Sequence, residues 1–101
     1  MLVNKRFLVT QRREFMGPTL CEVLGSHGAT VVTSEIPLDD PAAASSEVAK
    51  AGEIDILIAN LAIAAPNTAA TEVDDAEWRN VFAALVDPLP RLVKAALPAM
   101  V

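Results

Sequence analysis

Three short runs, "RFLVT" (6–10), "ATVVTSE" (29–35) and "IDILIAN" (54–60), alternate with segments of helical spacing, and this alternation limits the folds open to the chain. The second run is rich in β-branched residues, which suit a strand. The third is apolar on both faces, as a strand inside a parallel sheet is. Between the first two, Met16, Leu20, Val23 and Leu24 recur at helical spacing over residues 16–27, with Cys21 on the same side, which predicts a core-facing stripe. Pro18 suits a first helical turn, where its missing N–H costs nothing, and Gly28 suits the stop after the helix. A second, short helix is expected from Asp40 and Pro41 through Lys50, ended by Gly52. After the loop "LAIAAPNTAAT", residues 72–101 read as one long helical segment. Trp78, Phe82, Leu85, Leu89, Leu92 and Leu97 fall roughly along one side of it, with Trp78 as anchor, and Pro88 and Pro90 should kink or break it. The order strand, helix, strand, helix, strand, helix predicts an α/β fold: a parallel sheet of about three strands with helices on its faces and right-handed crossovers. The expected strand order places the first strand between the other two. Residues 1–101 read as a single domain.

Composition narrows the function classes. The chain is 52% hydrophobic with a mean hydropathy of +0.38, apolar for 101 residues, so some apolar surface is expected to meet another subunit or more chain. No apolar run approaches the roughly 18 residues of a membrane span, and "MLVNKRFLVT" is too short in its apolar part for a signal peptide. A net charge of -5 without a basic patch argues against a nucleic-acid partner. A single cysteine excludes an internal disulfide and fits a reducing, cytoplasmic setting. One histidine and no Cys/His cluster leave no expected metal site.

The turn "VTQRREFMGP" (9–18) carries the most specific information. Together with "HGATVV", "IDILIAN" and "EWRNVFAALVDPLPRLVKAALPAM", it resembles the N-terminal part of the short-chain dehydrogenase/reductase superfamily, across nearly the whole chain. The "LPAM" ending fits that superfamily's long interface helix. Its nucleotide turn, Thr-Gly-x-x-x-Gly-x-Gly, falls on Thr10, Gln11, Phe15 and Gly17, so two of three glycines are replaced. A side chain there blocks the close approach of a pyrophosphate to the backbone. Asn60 matches the first asparagine of Asn-Asn-Ala-Gly, while Leu61 and Ile63 break the rest, and Leu85 stands where the proton-relay asparagine usually lies. Between Ser34 and Ile56 only one helix fits where the superfamily has a helix, a strand and a helix. Within the superfamily, "TQRREFMG" is similar to the halohydrin dehalogenase signature of Thr, four free residues, Phe or Tyr, one free residue and Gly.

That resemblance implies cofactor-independent chemistry. A tyrosinate deprotonates a vicinal haloalcohol, the alkoxide closes an epoxide and halide leaves; small anions open epoxides in reverse. It implies a halide or nucleophile site at Thr10, Phe15 and Gly17, beside the N–H groups and dipole end at the start of helix 16–27. It places Asn60, Ile63 and Pro66 along the substrate pocket, and implies self-association through the long helix 74–101. The serine, tyrosine and arginine of catalysis would lie beyond that helix. The chain has no tyrosine, so it supplies no catalytic residue, and alone it is expected to be inactive, a truncated product or fragment. Bland readings stand beside these: Thr10 ending a strand, Phe15 as a core aromatic, Asn60 bracing the backbone, and Ile63 and Pro66 as loop packing. Gly17 serves close helix–sheet packing in either reading. Arg12 and Arg13 read as a solvated pair, Glu35 as a solvated acid, His27 as a helix C-terminal residue and Cys21 as core. The alternatives are an NAD(P)-dependent short-chain oxidoreductase, or a non-catalytic remnant or interaction module.

Overall fold

The computed structural model describes residues 2–64 and 67–100. They form strands β1 (Arg6–Val9), β2 (Thr30–Thr33) and β3 (Ile56–Ile58), with helices α1 (Gly17–Ser26), α2 (Ala43–Ala51), α3 (Asp75–Leu85) and α4 (Pro88–Met100). The sheet is parallel in the order β2–β1–β3, with Phe7 level with Val31 and Ile56. The expected α/β architecture and strand order are therefore present. Among the described residues no helix is long and apolar enough to cross a membrane.

The core lies on one face of the sheet. Leu8 of β1 packs with Leu38, with Ala44, Val48 and Ala51 of α2, with Ile54, and with Leu92 and Ala96 of α4. Small alanines let α2 and α4 approach each other closely over Leu8, which is 1% exposed. Alternation along the strand turns Phe7 and Val9 to the other face, the side left for α1. Opposite faces for α1 and α2 follow from right-handed crossovers that run in opposite directions across the sheet, from β1 to β2 and from β2 back to β3. Arg6 ties this frame at its lower end: its Nε and Nη2 donate to the carbonyls of Glu53 and Ala51, at 2.8 and 3.0 Å, satisfying acceptors at the end of α2.

Several expectations need correction. The α2 helix starts at Ala43 rather than Asp40, because Asp40 folds its own turn: its Oδ1 accepts from Ala42 N–H and its carbonyl from Ala43 N–H. The stripe on α1 is only half covered; Met16 and Val23 are exposed, and Cys21 is intermediate rather than core. The long segment 72–101 is two helices, separated at Val86 and Asp87. Pro88 opens α4 and Pro90 sits in its first turn, where neither needs a donor. That break changes the helical phase, so Leu92 is fully buried while Trp78, Phe82, Leu85, Leu89 and Leu97 are exposed. Trp78 is no anchor: it is 60% exposed and stacks on Phe82, with ring centroids 4.8 Å apart.

At the end of β2, Ser34 Oγ donates to Glu47 Oε1 of α2 at 2.7 Å, and Lys50 Nζ lies 3.0 Å from Glu47 Oε2. Glu47 is buried, yet its carboxyl is held below its ordinary value, chiefly by the Ser34 hydroxyl, with burial opposing and Lys50 assisting. A depressed folded-state value stabilises the protein above the unfolded-state value, about pH 4.3, and the contribution disappears as pH falls through the folded-state value. Stability against urea should therefore fall below about pH 4.3, and a Glu47→Gln variant should show a flatter acid limb. Parallel acid limbs in the two proteins would contradict this account.

Candidate functional site

The turn after β1 is built from two tight steps. Glu14 N–H donates to the Gln11 carbonyl at 3.0 Å and Gly17 N–H to the Glu14 carbonyl at 2.9 Å. Asn60, at the end of β3, locks both: its Nδ2 donates to the same two carbonyls, at 3.0 and 2.9 Å. Thr10 is fully buried, and its Oγ1 donates to the Asn60 carbonyl at 2.8 Å. The bracing reading of Asn60, and that of Thr10 as the end of its strand, are thus visible in the hydrogen bonds. A third tie comes from β2, where Ser34 accepts from Arg12 N–H at 2.9 Å.

The two glycine positions that are replaced in this turn keep a glycine-like backbone. Gln11 has φ 42° and Phe15 φ 51°, a left-handed region that costs a side chain about 1 kcal/mol or more. Gln11 is 2% exposed. Its Nε2 donates to the Ala62 carbonyl at 2.9 Å and its Oε1 accepts from Ala62 N–H at 3.1 Å. The amide therefore fills the space between the turn and the loop after β3. Sequence reasoning noted Gln11 only as a missing glycine; a residue with both a donor and an acceptor there was the available signal. Gly17 is required by packing, because a Cβ would overlap the carbonyl of Arg12.

The predicted site residues thus divide. Thr10, Gly17 and Asn60 come together inside the turn, where they shape it. Phe15 projects outward at 77% exposure, so the core-aromatic reading fails. Ile63 lies in the loop after β3, partly exposed. Pro66 lies outside the described residues. Arg12, Arg13 and Glu35 are all exposed, as solvated groups are, and both arginines reach Glu35 Oε1, at 3.6 and 3.3 Å. Arg12, Arg13 and Pro18 line a shallow concavity of about 280 Å³ at the start of α1. The concavity adjoins a helix start with no side-chain cap, and its two cations face Glu35, with Glu14 beside them in sequence. Among the described residues no cluster of acids, histidine and cysteine could hold a metal ion.

No protein-family profile matches the chain. No curated protein matches its sequence. Solved structures match it closely in fold. A short-chain dehydrogenase/reductase from Serratia marcescens superposes with a TM-score of 0.84, covering 98% of this chain and 52% of that one at 19% identity. A dehalogenation enzyme gives 0.85, with 99% and 50% covered at 23% identity. The ligand-free aldohexose dehydrogenase of Thermoplasma acidophilum gives 0.82, with 98% and 45% covered at 19% identity. The chain therefore has the Rossmann-like fold of short-chain dehydrogenase/reductases and spans about half the length of the structures it matches.

Proposed function

We propose that the chain supplies the small-anion half of a cofactor-independent halohydrin dehalogenase-type site. One observation carries this reading: Gln11 lies buried across the turn, hydrogen-bonded to Ala62, where a dinucleotide would need bare backbone. A halide needs far less room than a pyrophosphate. It can sit at the start of α1, where the helix dipole and the Arg12–Arg13 concavity favour negative charge. The reaction would remove the hydroxyl proton of a vicinal haloalcohol and form the C–O bond of an epoxide. The carbon–halogen bond breaks as this happens, and halide departs with its electron pair. Closure is intramolecular, so positioning provides much of the rate. The base that takes the proton is not a tyrosine of these 101 residues.

The test compares two ligands on the same protein. Chloride-35 NMR should show line broadening that bromide competes away, and NADH fluorescence should remain unchanged up to millimolar protein. Absence of halide-dependent broadening would remove the anion site. Micromolar NADH binding would instead establish the oxidoreductase reading, which the retained positive φ at Gln11 and Phe15 favours. The exposed side of α3 and α4, with Phe82, Leu85, Leu89, Val93 and Leu97, supports self-association as part of this proposal. A monodisperse monomer in light scattering would count against that part.

A further inference from the structure

A second cationic groove lies away from the turn, between the first turn of α2 and the middle of α4. Pro41, Ser45, Arg91, Lys94 and Ala95 line a concavity of about 380 Å³. Arg91 and Lys94 stand one helical turn apart on α4, so both reach it from the same side. Among the described residues neither forms an ion pair, although the chain carries 13 acids against 8 lysines and arginines. Asp40, beside the groove in sequence, instead accepts from the Ala42 N–H with its Oδ1. More telling, Arg91 Nη1 is shielded from solvent and has no hydrogen-bond partner. A buried charged donor without an acceptor is costly, and a turn of the guanidinium toward an acceptor in the groove removes that cost. The opposite wall offers a donor as well. The backbone N–H of Ser45 makes no hydrogen bond among the described residues, as expected in a first helical turn. Ser45 Oγ is engaged only locally, with the Ala42 carbonyl at 3.1 Å.

We propose that this groove binds an oxyanion of the phosphate class, held by Arg91 and Lys94 across from Ser45 at the start of α2. A guanidinium plus an ammonium matches a tetrahedral dianion better than a single halide. The test is thermal unfolding of the whole chain, with inorganic phosphate titrated against sodium chloride at matched ionic strength. The wild-type protein should show a saturable rise in Tm, and phosphorus-31 NMR should show line broadening. Arg91→Gln/Lys94→Gln should weaken the response roughly tenfold or more. Lys94→Gln alone, at an exposed side chain, provides a second variant that retains the partly buried Arg91. Phosphate responses equal in wild type and variants overturn the proposal, since excluded-salt stabilisation would act on both alike. An acetate response equal to that of phosphate overturns the assignment of ligand class. Saturating bromide should leave the phosphate titration unchanged, which keeps this groove separable from the turn.

Discussion

Gly17→Ala should destabilise the protein by about 3 kcal/mol or more, one of the largest effects available to a single added methyl group. The reason is the identity of the neighbour. A Cβ at Gly17 would overlap the carbonyl oxygen of Arg12 and lie 2.5 Å from its carbonyl carbon and 2.9 Å from its Cα. All three atoms are backbone, so no rotamer change relieves the clash. The turn would have to open, losing the Gly17-to-Glu14 bond and straining the Asn60 clamp. Small domains of this length have about 5–15 kcal/mol of stability, and each kcal/mol moves Tm by roughly 4–8 °C. Urea unfolding of the variant checks this. A loss below about 1 kcal/mol would mean that Gly17 does not set the approach of α1 to the turn.

Asn60→Ala should cost about 2–3 kcal/mol, and the size follows from counting what is left behind. The amide gives two hydrogen bonds, to the carbonyls of Gln11 and Glu14. Each carbonyl keeps a second partner, Glu14 N–H or Gly17 N–H, so neither is left fully orphaned. The loss is thus two ordinary bonds plus a small cavity, rather than two unsatisfied buried groups. The Thr10 hydroxyl keeps its bond, because it uses the backbone carbonyl of Asn60. Faster amide exchange at Glu14 and Gly17 in the variant would show that the turn has loosened. Unchanged exchange at both would contradict the clamp. This readout also bears on function, because anything held at the start of α1 depends on a fixed turn.

The elements themselves were legible along the chain because their signals are local. Short apolar runs marked β1 and β3, a β-branched run marked β2, and Pro18, Gly28 and Gly52 bracketed the helices. Boundaries shifted where a side chain competed with the backbone, as Asp40 does by forming its own turn before α2. The helical stripe over Trp78 to Leu97 misled for a different reason. A single helical phase was assumed across Pro88, whereas the break at Val86 and Asp87 resets it and buries Leu92 instead.

The candidate site was readable in its residue types but not in their roles. Thr10 and Gly17 were identified at the turn, yet nothing local shows that Thr10 is sealed inside or that Phe15 faces solvent. Asn60 stands 49 residues from its acceptor Gln11, a separation that only the pairing of β1 with β3 closes. The Gln11–Ala62 and Ser34–Glu47 bonds arise the same way, between residues with no recognisable mutual spacing. Hydrophobic period and turn chemistry act over a few residues, so the sequence by itself determined the alternating elements, the parallel sheet and the altered turn. Partner choice among buried polar groups depends on which strand ends lie side by side, and only the tertiary structure decided that the side chain replacing a glycine at position 11 became a hydrogen-bonded plug.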